Sequence, residues 1–88
     1  MEIIYSVEAQ KDIEHWKKSG NKIIQKKIQQ LLDAINENPF EGVGKPEGLK
    51  HNLTGLWSRR INREHRLIYQ VLENNQTIKI YSLRGHYY

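Results

Sequence analysis

The sequence predicts an α+β domain in which an N-terminal strand and a helical hairpin precede three further strands, the hairpin packing on one face of an antiparallel sheet. Three observations predict it. Apolar residues recur at helical spacing over residues 9–35 and at strand-like spacing from residue 56 onward. The stretch between, residues 40–55, holds four of the six glycines and no periodicity. The strand-like runs are joined by short links, which make antiparallel pairing the default. A helical pair with one apolar side and a sheet with one apolar face bury both by stacking as two layers.

The order of elements follows from the residues. In EIIYSV (2–7), Ile3, Tyr5 and Val7 alternate onto one side, as in a short strand. Ser6 can cap a helix, and Glu8 sits in the first turn where the helix dipole favours an anion. Ala9, Ile13 and Trp16 fall on one stripe, Lys17 and Lys18 occupy the last turn, and Gly20 supplies a stop. A second helix begins near Asn21, with Ile24, Ile28, Leu31 and Ile35 on one face. Pro39 ends it by disfavouring helical geometry at Asn38. Residues 40–55 read as loop, with a short strand around 49–53. LWSRRI (56–61), HRLIYQVLE (65–73) and TIKIYSL (77–83) read as strands, with a tight hairpin at Asn74 and Asn75. The predicted order is β-α-α-β-β-β.

The 88 residues fit one domain, residues 1–88. There is no cysteine to form a disulfide or serve as a nucleophile, which suits a reducing compartment. No apolar run approaches the roughly 20 residues of a membrane span, and no signal-peptide pattern opens the chain. A soluble cytoplasmic protein with no membrane partner is the expectation. The net charge of +4 is unevenly spread: residues 1–43 carry six lysines against seven acids, and residues 44–88 carry eight basic groups against three acids. All five arginines lie in that second half. Clustered arginine suits bidentate recognition of phosphate or carboxylate, although a basic face without a partner has the same composition.

The open face of the predicted sheet can gather several polar groups. Glu47 lies in GKPEGLK, flanked by Lys45 and Lys50 and stiffened by Pro46; Arg66 begins the long strand. Arg59 and Arg60 point to opposite faces of the strand before it. His86 and Tyr87 follow the last strand directly. Glutamate, arginine, histidine and tyrosine on a basic domain suit cleavage of an RNA phosphodiester. There the 2′-hydroxyl is a built-in nucleophile that needs only a base, a cation at the phosphorane and an acid at the leaving oxygen. No metal or cofactor is called for, and no ligand motif such as HExxH or paired cysteines is present. Each residue has a plainer reading too: Glu47 as a solvated turn residue, Arg66 paired with Glu64 or Glu73, His86 in a frayed tail, Tyr87 capping the core edge. His51 and His65 read as surface or cross-strand residues without a chemical part.

PFEGVGKPEGLKHNLTGLWSRRINREHRLIYQV (39–71), together with the closing HYY, resembles the YoeB branch of the RelE-superfamily toxins, the toxin halves of bacterial toxin–antitoxin pairs. The resemblance runs from the first strand to the last residue. It implies the RelE-like fold and a ribosome-dependent endoribonuclease that cuts mRNA in the ribosomal A site and halts translation. It implies Glu47 as general base on the 2′-hydroxyl, Arg66 as the phosphorane's stabiliser, His86 as general acid and Tyr87 as the residue that positions the phosphate or stacks on a base. Lys45, Lys50, Arg59 and Arg60 would hold RNA backbone, of mRNA or ribosome. The implied partners are a YefM-like antitoxin, the ribosome and mRNA; a homodimer is a further possibility. Two departures stand out. The family commonly has proline after the glutamate, where this chain has Gly48, and it usually stops at the tyrosine, where this chain adds Tyr88. The alternatives are a non-catalytic toxin of the same superfamily, of the gyrase-poisoning type, and a plain RNA-binding domain. Intact Glu47, Arg66 and His86 weigh against the first.

Overall fold

A computed structural model describes residues 1–85 of the chain. The first strand, β1 (Glu2–Tyr5), leads into α1 (Val7–Ser19) and α2 (Lys22–Glu37). Ser6 caps α1: its Oγ accepts from the Ala9 amide at 3.0 Å and donates to the Tyr81 carbonyl at 2.7 Å, so one hydroxyl starts the helix and ties it to the sheet. Gly20 ends α1 at φ 71°, a left-handed conformation that costs glycine little. Asn21 then caps α2 through its Oδ1 and the Ile24 amide. The hairpin of helices is as the sequence predicts.

Beyond α2 come β2 (Glu47–Gly48), a 3₁₀ turn (His51–Leu53), β3 (Trp57–Arg60), β4 (Arg66–Leu72) and β5 (Thr77–Ser82). The short strand expected around 49–53 lies instead at Glu47–Gly48, and His51–Leu53 coils. His51, at φ 59°, breaks the extended backbone that a strand over 49–53 would need. The β4–β5 hairpin turns through Glu73, Asn74 and Asn75, all at positive φ, a conformation that asparagine tolerates better than most residues.

The sheet order is β1-β5-β4-β3-β2. Strands β2 to β5 pair antiparallel, as short links require, but β1 joins β5 in parallel at the far edge, making the sheet mixed. The reason is the connection. The two helices carry the chain across a whole face between β1 and β2, and a long crossover of that kind permits parallel pairing.

The core lies between helices and sheet. Ala9 and Trp16 of α1 and Ile24, Ile28, Leu31, Leu32 and Ile35 of α2 meet Ile61, Leu67, Tyr69, Ile78, Ile80 and Leu83. Each fully buried leucine or isoleucine contributes roughly 1.5–3 kcal/mol relative to exposure. Residues paired across strands share a face, so Trp57, Arg59, Leu67, Tyr69, Val71, Ile78 and Ile80 look toward the helices. Glu47, Ser58, Arg60, Arg66, Ile68 and Gln70 look the other way, onto the face that the helices leave open.

Candidate active site

The open face is built from β2, β3 and β4. Glu47 is exposed on the edge strand, opposite Ser58, which in turn stands opposite Ile68. Arg66 lies two residues along β4 from Ile68, so strand spacing puts the Cα atoms of Glu47 and Arg66 roughly 12 Å apart. Two long side chains at that separation can both reach a small group held between them. Glu47 also lines a groove of about 220 Å³ with Gly48, Leu49, Lys50, His51 and Leu53, which places the predicted base beside Lys50.

Arg66 carries an unusual feature. Its residue is 8% exposed, its Nη1 donates to the Asn62 carbonyl at 2.9 Å and to the His65 carbonyl at 3.3 Å, and its Nε is buried with no hydrogen-bond partner. Among the described residues it is the one buried side-chain nitrogen or oxygen left unsatisfied. Leaving a buried charged donor unmet is costly, and an incoming anion would meet it.

Arg60 and Lys45 come together with Lys27 of α2 and Arg63 around a cleft of about 300 Å³, also lined by Gly44, Ile61 and Asn62. Four cations and no acid line it. Lys27 and Arg63 are absent from the set expected from the sequence; Arg63 belongs to the same arginine cluster, whereas nothing in the sequence linked a lysine of α2 to it.

Arg59 contradicts the expectation. It faces the helices and is fully buried. Its Nε donates to the Tyr69 hydroxyl at 3.1 Å, its Nη1 to the Val43 carbonyl at 3.1 Å, and its Nη2 to the carbonyls of Asn38 and Glu41 at 2.6 and 2.9 Å. Tyr69 passes the network on to the Pro39 carbonyl at 2.6 Å, and burial pushes its phenol above the ordinary range. Arg59 therefore does not hold RNA: its guanidinium is spent on the carbonyls of the loop that follows α2. The loop packs so closely that a Cβ on Gly44 would stand 2.7 Å from Leu31 Cδ2 and 3.0 Å from Arg59 Cβ.

The last described residues are held from two sides. The Leu83 amide donates to Asp12 Oδ2 at 2.8 Å, and Trp16 Nε1 donates to the Leu83 carbonyl at 2.9 Å. The Gly85 amide donates to His65 Nδ1 at 2.9 Å, while its carbonyl accepts from the Arg66 amide at 3.0 Å. The His65 ring meets the Trp16 ring edge-on, centroids 4.9 Å apart. Burial is the main influence on Asp12 and raises its carboxyl above the usual range, against the lowering effect of the Leu83 bond. His86 and Tyr87, the predicted acid and its neighbour, lie outside the described residues, as does Tyr88.

On the same open face, Leu49, Leu53, Leu56, Ile68 and Tyr81 line a mainly apolar cleft of about 370 Å³, with Ser6, Glu8 and Ser82 at its margins. Among the described residues no three His, Asp or Glu side chains gather as a metal-ligand set, and no helix is long and apolar enough to cross a membrane.

Against known proteins, residues 5–87 match the family described as the YoeB-like toxin of bacterial type II toxin–antitoxin systems. The chain is 46% identical over 87 residues to Toxin YoeB of Escherichia coli K12, covering 99% of this chain and 100% of that one. Among solved structures it is similar to a YoeB/ParE toxin from Agrobacterium tumefaciens, with a TM-score of 0.93 at 36% identity, covering 99% of this chain and 100% of that one. It is also similar to a chain of a YoeB–YefM complex from Staphylococcus aureus, 49% identical with a TM-score of 0.86 over 99% of this chain and 98% of that one.

Proposed function

The chain belongs to the YoeB-like toxins of bacterial type II toxin–antitoxin systems, and from that premise we propose that it is an endoribonuclease that cuts mRNA on the ribosome without a metal ion. The observation that carries the reading is the unmet Nε of Arg66, a buried cationic donor on a residue whose strand position faces the same side as Glu47. A phosphodiester placed between them supplies the missing acceptor. Glu47 takes the proton from the 2′-hydroxyl, whose oxygen attacks the adjacent phosphorus. Arg66 stabilises the charge that gathers on the phosphorane oxygens. His86 donates a proton to the departing 5′-oxygen, Tyr87 positions the phosphate, and the products carry a 2′,3′-cyclic phosphate and a 5′-hydroxyl.

Lys45, Lys50 and Arg60, joined by Lys27 and Arg63, hold RNA backbone. The apolar cleft lined by Ile68 and Tyr81 offers apolar and aromatic walls for a base next to the cut. Glu47 is exposed on an edge strand, so the free protein lacks the enclosure that strengthens acid–base chemistry, which suits a site completed by the ribosome. A YefM-like antitoxin is the partner that restrains the toxin, in keeping with the similar Staphylococcus aureus complex.

Glu47→Gln tests the reading, because it keeps shape and hydrogen bonding but removes the base. Single-turnover cleavage on programmed ribosomes should slow by about 10²–10⁴-fold with ribosome binding unchanged. A variant that cuts at the wild-type rate would leave Glu47 a turn residue.

A further inference from the structure

We propose that His65 is a positioning residue for the reaction, acting through residues 83–85; the proposal rests on the ribonuclease reading above. His65 stands where three parts of the molecule meet. Its ring is seated edge-on against Trp16 of α1, its Nδ1 accepts the Gly85 amide, and its carbonyl accepts from Arg66 Nη1. The next residue, Arg66, closes the ring by donating its own amide to the Gly85 carbonyl. Gly85 is thus held at both its amide and its carbonyl, one by His65 and one by Arg66. Its φ of 86° is one that few other residues adopt, so the local conformation needs outside bonds to select it from glycine's wide repertoire.

The clamp does two jobs at once. It fixes the backbone from which the sequence continues to His86, and it couples that backbone to the strand start that presents Arg66. The backbone at Gly85 and the predicted phosphorane stabiliser are therefore registered against each other through one imidazole. Asp12 and Trp16 anchor the same segment two residues earlier, at Leu83, so the segment is attached to α1 and to β4 independently. Because the donor is a backbone amide, Nδ1 must carry the lone pair and Nε2 the hydrogen. Misplacing a reacting group by about 1 Å can cost 10²-fold in rate, so the loss of one such bond is felt in the chemical step.

Two substitutions separate positioning from packing. His65→Phe keeps an aromatic ring against Trp16 but has no acceptor; His65→Asn loses the ring but sets Oδ1 close to the place of Nδ1. The Gly85 amide, followed by NMR hydrogen exchange, reports the clamp, and single-turnover cleavage with separately measured ribosome affinity reports the chemistry. His65→Phe should lose Gly85 protection and about 10–100-fold in rate at unchanged ribosome affinity, and His65→Asn should recover most of both. The proposal is overturned if His65→Phe cleaves as the wild type does, or if His65→Asn falls as far as His65→Phe. It is overturned equally, whatever the activity, if the Gly85 amide of the wild type exchanges as freely as an unbonded one. Glu47→Gln run alongside keeps the two ideas apart, since it tests the reaction and leaves the clamp untouched.

Discussion

Arg59 and Arg66 lie within seven residues of each other on neighbouring strands, yet they do opposite things with the same guanidinium. Arg59, on the helix-facing side, finds an acceptor for every nitrogen: three loop carbonyls and the Tyr69 hydroxyl. Arg66, on the open side, is nearly as buried but keeps Nε unmet. A satisfied buried arginine is a structural staple, and an unsatisfied one keeps a donor in reserve. The difference is set by what lies over each face. The carbonyl-rich turn after α2 covers the first, whereas no hydrogen-bond acceptor among the described residues reaches Nε on the second.

The sharpest way to break the comparison is to give both positions lysine, which keeps the charge but removes the planar fork. Arg66→Lys should cut single-turnover cleavage on ribosomes by about 10²–10³-fold while the melting temperature moves little. Equal rates for variant and wild type would leave Arg66 without a part in the chemistry. Arg59→Lys should show the reverse. A single ammonium cannot reach four acceptors on three sides, so stability should fall by on the order of 3 kcal/mol, or roughly 12–24 °C in Tm. Cleavage per folded molecule, measured well below that Tm, should stay near wild type. A stable Arg59→Lys protein that binds ribosomes poorly would restore the RNA-binding role that burial denies it.

A smaller effect sharpens the contrast between Arg59 and its neighbour. Arg60→Ala removes an exposed cation from the cleft shared with Lys27, Lys45 and Arg63. Ribosome binding should weaken severalfold at moderate salt, and the slope of log K against log salt should shrink by about one. Stability should change by no more than about 0.5 kcal/mol. Binding and salt slope identical to the wild type would make that cleft a solvated surface.

Much of this arrangement is legible in the sequence. The stripes of α1 and α2, their caps at Ser6 and Asn21, the three later strands and the positive-φ asparagine turn all follow from local rules. Alternation also shows that Arg59 and Arg60 point to opposite faces. It does not show which face is inside, because that depends on what packs over it, and the statistical habit of arginine to sit in water favoured the wrong answer. The stretch 49–53 misleads for a related reason: no periodicity marks it, and Leu49 and Leu53 line the cleft on the open face from before and within a 3₁₀ turn rather than from a strand. The parallel placement of β1 depends on the path of two helices, which no local pattern encodes. His65 reads as a surface residue in the sequence because its bond is to Gly85, twenty residues away, where no local pattern reaches.

The edge position of β1 bears on how the molecule comes into being. Among the described residues β1 pairs only with β5, and the bond from Ser6 to Tyr81 spans 75 positions of the chain. Asp12 and Trp16 likewise wait for Leu83, 71 and 67 positions later. Contacts so far apart in sequence are slow to form, and none of them can exist before residues 81–83 have been made. The helices can coil early, but the sheet is closed at its far edge, and Arg66 tied to Gly85, only after residues 77–85 are available to pair, so the edge that holds β1 and the backbone beside Arg66 are completed in one late step.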